Sequence, residues 1–104
     1  MVGLNNLERI YLNKNQIKII GEKAFFGLER LEYAFLNDNK LSELNYNNSA
    51  ARISPFYPCK YLKKLDFSNN NISNFFQEWK YDKPDSLILR HNSLTTINVN
   101  NIKL

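Results

Sequence analysis

The chain has little of what punctuates or cross-links most folds. It has one cysteine, Cys59, so no disulfide can close within it and cysteine usage does not report a redox compartment. Three glycines and three prolines exclude a collagen-like or linker-type chain. No apolar run approaches the roughly 20 residues that a membrane-crossing helix needs. The start, Met1-Val2-Gly3-Leu4-Asn5, has neither the basic region nor the apolar stretch of a secretory signal. His91 is the only histidine, with no Cys or His partner at ligand spacing, so no zinc site is expected. The carboxylates are scattered without a pair suited to acid–base chemistry. A phosphate-cradling glycine loop is absent. Together these absences point to a non-catalytic protein with no metal and no cofactor.

What is present is a single-domain length of 104 residues, a formal charge of +4 and a marked excess of asparagine. Lys60, Lys63 and Lys64 form the densest basic cluster, but Asp66 and Glu78 follow closely. Solvated lysines account for it more readily than a nucleic-acid surface, which would draw on Lys60, Lys63, Lys64, Arg90 and His91.

Self-similarity carries most of the information. Leu7 to Ile17, Leu31 to Leu41, Leu62 to Ile72 and Pro84 to Leu94 all follow L-x-x-L-x-L-x-x-N-x-L, with Ala34 and Pro84 as the clearest departures. Further apolar residues recur three positions later, at Ile20, Leu44, Phe75 and Ile97. The aligned asparagines stand 24, 31 and 22 residues apart, which implies an insertion of about seven residues in the middle, near 45–55. Side chains alternate across a strand, so the fourth and sixth positions share one face. Ile10, Leu12, Leu36, Leu65, Phe67, Leu87 and Leu89 should therefore point inward. Strands are expected near 9–13, 33–37, 64–68 and 86–90, weakened in the second and fourth copies by Ala34 and Pro84.

Asn15, Asn39, Asn70 and Asn92 fall where the chain must turn out of the strand. A buried turn leaves backbone N–H and C=O groups unpaired. One amide side chain can serve both kinds of group, so the four should stack into a structural asparagine ladder. Between copies, Phe25 aligns with Phe56 and Leu28 with Cys59; Phe25, Phe56 and Trp79 read as apolar plugs of the outer side. Two readings stand for Cys59: a small buried hydrophobe in a leucine position, or one half of a disulfide to a residue outside this chain.

The third, fifth, seventh and eighth positions should face away from the core. Arg9, Tyr11, Tyr33, Phe35, Lys64, Asp66, Ile88 and Arg90 then line one strand face, with Tyr11, Tyr33 and Phe35 adjacent. Exposed aromatics of this kind are frequent anchors of protein–protein contacts. Two N-x-S triplets, at Asn47 and Asn71, are candidate glycan acceptors in a chain that enters the secretory pathway.

The repeat resembles that of extracellular leucine-rich-repeat receptors. This implies an α/β leucine-rich-repeat solenoid: a short parallel β-sheet on the concave face, loops and short helical turns on the convex face, and about four repeats spanning residues 1–104. Neither end has a polar cap, so a segment of a longer ectodomain is expected. The middle of the chain, Ser54-Pro55-Phe56-Tyr57-Pro58-Cys59 through Ile72-Ser73-Asn74-Phe75 to Glu78-Trp79, is similar to a stretch of insect Toll receptors. That similarity implies a receptor of innate immunity or development at the extracellular side of the plasma membrane. Such a receptor binds a Spätzle-type cytokine and forms a homodimer, with any membrane span and signalling domain in a parent chain. A secreted or intracellular leucine-rich-repeat adaptor without a signalling role is the alternative.

Overall fold

The computed structural model describes residues 4–21, 24–42, 56, 59–77, 84–94 and 96–99, with the side chains of 4, 74–77 and 96–99 left aside. The insertion near 45–55, Asn47 and Trp79 lie outside the described residues.

Each repeat contributes one three-residue strand: β1 (Arg9–Tyr11), β2 (Tyr33–Phe35), β3 (Lys64–Asp66) and, after β4 (Asn74–Gln77), β5 (Ser86–Ile88). They form a parallel sheet in the order β1-β2-β3-β5. Its register places equivalent repeat positions side by side: Arg9, Tyr33, Lys64 and Ser86 in one row, Ile10, Ala34, Leu65 and Leu87 in the next, Tyr11, Phe35, Asp66 and Ile88 in the third. Parallel neighbours require a crossover between strands, and here each crossover is the remainder of one coil. Stacked in this way, the coils form a solenoid with the sheet along one side.

The strands stop after three residues rather than the five read from the sequence. At the eighth position the backbone enters the left-handed region in every repeat: φ is 58° at Lys14, 59° at Asp38, 55° at Asn69 and 59° at His91. The left-handed residue comes three positions after the last strand residue, and parallel hydrogen bonding runs up to it. Leu12 N–H donates to Phe35 O at 2.9 Å and Lys14 N–H to Asn37 O at 3.0 Å, with equivalent bonds from Leu36 and Asp38 and from Phe67 and Asn69. Ala34 and Pro84 do not shorten their strands. Proline lacks the N–H with which Leu31 and Leu62 close a local turn, yet Ser86 N–H still reaches Lys63 O at 2.9 Å.

The core follows the repeat. Leu31, Ala34, Leu36 and Leu41 of the second coil, and Leu65, Phe67 and Ile72 of the third, are wholly enclosed. Ile10, Leu12, Leu87 and Leu89 of the outer coils are half-buried against them, because each has a neighbouring coil on one side only among the described residues. On the outer side Phe25 stacks on Phe56 with centroids 4.2 Å apart, and Phe56 meets the edge of Phe67 at 6.2 Å. These buried rings contribute about 1.5–3 kcal/mol each by removal from water. Cys59 is buried like Leu28, its repeat equivalent, as a free thiol with Sγ 3.8 Å from the Phe25 carbonyl oxygen. Burial pushes the thiol up to about 11.

A second parallel pair, β4 with β6 (Thr96–Val99), lies beyond the asparagine turns and sets Phe75 opposite Ile97. The sequence reading has loops and short helical turns on that half. It includes one short 3-10 helix, Leu4–Asn6, and turns at 24–27, but the strand pair is an addition.

Candidate functional site: the sheet face and its asparagine edge

Alternation along each strand turns the third- and fifth-position side chains away from the core. With strands only three residues long, this face is two rows deep. Its first half is aromatic. Tyr11 and Phe35, register partners on β1 and β2, stack with centroids 4.9 Å apart and ring planes 7° from parallel. Tyr11 remains 62% exposed, so the outer side of this plate is open to a partner. Cations lie on the rings: the Arg9 guanidinium is 4.9 Å from the Tyr33 centroid and Lys64 Nζ is 5.7 Å from that of Phe35. A cation over an aromatic face is held by the ring quadrupole. A side-chain hydrogen bond with Tyr11 also raises the Arg9 pKa above its ordinary value.

The carboxylates nearby have internal partners. Asp66 Oδ1 accepts from Ser68 N–H at 3.0 Å and from Ser68 Oγ at 2.6 Å. Asp38 Oδ2 accepts from Asn37 Nδ2 at 2.7 Å. At the strand entrance Lys63 and Glu32 form an ion pair at 3.0 Å. The Lys63 hydrogen bond holds the Glu32 carboxyl below its ordinary range, and the same contact raises Lys63. This bond occupies one of the five residues grouped for a nucleic-acid surface. Lys60 lies over its neighbour Tyr61 at 5.3 Å, and His91 occupies a turn.

Arg9, Tyr11, Tyr33, Phe35, Lys64 and Asp66 thus lie together on three adjacent strands. Ile88 extends the fifth-position row and is half-buried. Arg90 is exposed two residues past β5, and its carbonyl oxygen accepts from Asn69 N–H at 3.1 Å. Repeat phase locates these residues, but it does not show which rings stack or which carboxylates are already bonded.

The face is supported at one edge by amides. Asn39 Nδ2 donates to Leu36 O in its own coil and to Leu12 O in the preceding one, both at 3.0 Å, while Oδ1 accepts from Ile17 N–H at 3.1 Å. Asn70 repeats this with Phe67 O, Leu36 O and Leu41 N–H, and Asn92 with Leu89 O, Phe67 O and Ile72 N–H. Asn15 is exposed and, among the described residues, bonds only within its own coil, to Leu12 O and Asn13 O.

Elsewhere, an open hollow of about 370 Å³ lies beside the first coil, lined by Leu7, Ile10, Leu12, Ile17, Phe25 and neighbouring apolar residues. Among the described residues its lining is apolar, with no titratable side chain. Among the described residues no cluster of His, Cys, Asp or Glu could hold a metal ion, and no helix is long and apolar enough to cross a membrane.

Two family models, both described as leucine-rich repeat, match residues 1–41 and 61–80. Human lumican (Homo sapiens) is 33% identical over 88% of the chain, and Toll-like receptor 3 of Boselaphus tragocamelus is 36% identical over 73%. The chain spans a quarter of the length of the lumican relative and 8% of that of the receptor. No solved structure matches the chain at comparable stringency.

Proposed function

The chain belongs to the leucine-rich-repeat family, and from that premise we propose that its four-stranded face is a non-catalytic protein-binding surface within a Toll-type receptor ectodomain of innate immunity or development. The partner in this reading is a Spätzle-type cytokine, held outside the cell by a receptor that pairs with a second copy of itself. The observation that carries the binding role is the Tyr11–Phe35 plate: large rings, already stacked and flanked by Arg9 and Lys64, with Tyr11 largely open to solvent. Rings ordered before contact lose little side-chain freedom on binding, which is why such residues dominate interface energetics. Similarity to a Toll-like receptor and the resemblance of residues 53–79 to insect Toll support the receptor context.

The test is ligand binding by the ectodomain that contains this segment. Tyr33→Ala combined with Phe35→Ala should weaken a cystine-knot cytokine ligand by at least about 30-fold, the effect of losing one hot spot of 2 kcal/mol. Undiminished affinity in a folded double variant would remove the face from the reading. Similarity to lumican favours a second reading, a secreted leucine-rich-repeat protein that binds partners without signalling. A parent reading frame lacking both a membrane span and a cytoplasmic domain would decide for it.

A further inference from the structure

Residues 69–71 are three consecutive asparagines, and the fold gives each a different task. Asn69 takes the left-handed turn with φ 55°. Asn70 points inward and bonds across two coils. Asn71 points out: its side chain is exposed while Ile72, next in sequence, is wholly buried. Ser73 returns to the outer side, half-buried. This alternation leaves Asn71 and Ser73, the first and third residues of the Asn71-Ile72-Ser73 triplet, on one side of the chain with isoleucine in the core.

The surroundings suit a large polar group. Asn71 stands at the tenth repeat position, and the residues of that row, Gln16, Lys40, Asn71 and Ser93, are all polar and exposed. The nearest polar contact of the Asn71 side chain is Ser93 Oγ, 3.5 Å from Oδ1, and among the described residues its amide nitrogen donates to no acceptor. Its backbone is fixed, with Asn71 N–H on Leu41 O at 2.8 Å and Ser93 N–H on Ile72 O at 3.0 Å, so a modification would not disturb the coil stacking. The turn at Asn69 and Asn70 has already carried the chain off the strand face, which separates this flank from the Tyr11–Phe35 plate.

We infer that Asn71 carries an N-linked glycan. In this transfer the Asn71 amide nitrogen bonds to the anomeric carbon of a lipid-diphosphate-linked oligosaccharide. The bond from that carbon to the diphosphate oxygen breaks, the lipid diphosphate leaves, and the amide gives up one proton. The inference rests on the extracellular placement proposed above but not on any ligand. The glycan shields the polar flank and leaves the strand face free.

The experiment is peptide mass spectrometry on the protein isolated from a eukaryotic host, with and without a peptide N-glycosidase that leaves aspartate at each occupied asparagine. Conversion at Asn71 is expected. Asn71→Gln and Ser73→Ala should each lose the mass of one glycan, and Ser73→Thr should keep it. Unmodified Asn71 in secreted protein overturns the glycan while leaving the binding role standing. Protein confined to the cytosol, with Asn71 unmodified, overturns both the glycan and the extracellular placement.

Discussion

Asn39 and Asn70, one coil apart, donate to the same acceptor, the carbonyl oxygen of Leu36, each from 3.0 Å. The arrangement recurs at Leu12 O, shared by Asn15 and Asn39, and at Phe67 O, shared by Asn70 and Asn92. Each of these carbonyls therefore uses both lone pairs, one toward its own coil and one toward the next. The amide thus joins coils as well as closing a turn.

Removing Asn39 leaves Ile17 N–H without its acceptor, while Leu12 O and Leu36 O each keep a second donor. Asn39→Ala should cost about 2 kcal/mol, within the range for leaving a polar group away from water unsatisfied. Among the described residues Asn15→Ala removes only exposed bonds within one coil, and it should cost about 0.5 kcal/mol. Urea midpoints at constant slope would separate the two. Equal costs would mean that the ladder does not couple coils. Asn39→Asp should be worse than Asn39→Ala at neutral pH, because it replaces a donor by a charge facing carbonyl oxygens. Part of that loss should return as the pH falls and the new carboxyl takes up a proton.

The eighth-position turn makes a second test. Left-handed backbone costs an ordinary residue about 1–2 kcal/mol, and asparagine or aspartate bears it best. Asp38, Asn69 and His91 suit the turn; Lys14 adopts it without that advantage, at φ 58°. Lys14→Asn should raise stability by about 0.5 kcal/mol, whereas Lys14→Val should lower it by about 1 kcal/mol or more. A thermal melt reads the sign. Tolerance of valine would show that the turn relaxes and that the surrounding bonds do not impose it.

The legibility of the fold divides along the same lines. Leu36, Leu65 and Phe67 are identifiable as core because strand alternation and the repeat period agree on them. The left-handed turn is only partly identifiable, since Asp38, Asn69 and His91 are residue types that favour it but Lys14 is not. Neighbouring coils impose it through bonds such as Lys14 N–H to Asn37 O. The pairing of β4 with β6 is likewise non-local: Phe75 and Ile97 stand in phase, but phase alone does not separate a strand from a turn. On the sheet face, repeat position locates Tyr11, Phe35, Arg9 and Lys64. Ring stacking and cation placement depend on side-chain torsions that a linear pattern does not encode.

Tyr11 and Phe35 should couple energetically. Stacked pairs are worth about 0.5–1.5 kcal/mol beyond the area they bury. A double-mutant cycle with Tyr11→Ala and Phe35→Ala, read by chemical denaturation, should give a coupling in that range. Lys64→Met should preserve it, because the ammonium lies over Phe35 and not between the rings. Additive single variants would mean that the plate is not formed in solution, and the binding role would lose its preordered anchor.

Cys59 links burial to pH. Its thiol is raised from an ordinary 9.0 to about 11, through removal from water. Between those values the unfolded chain releases the thiol proton while the folded chain keeps it, so the unfolded state binds fewer protons. Stability contributed by the neutral buried thiol is present below 9.0 and declines as the pH rises toward 11. The quantity to measure is the difference between the wild-type protein and Cys59→Ala, which isolates the thiol. The wild-type advantage should shrink across that window. Thiol alkylation near neutral pH should be slow and should track local opening, since the reactive thiolate is scarce and Cys59 is buried. Rapid labelling of the folded protein would place Cys59 at the surface, where it would be accessible to a disulfide partner from outside this chain.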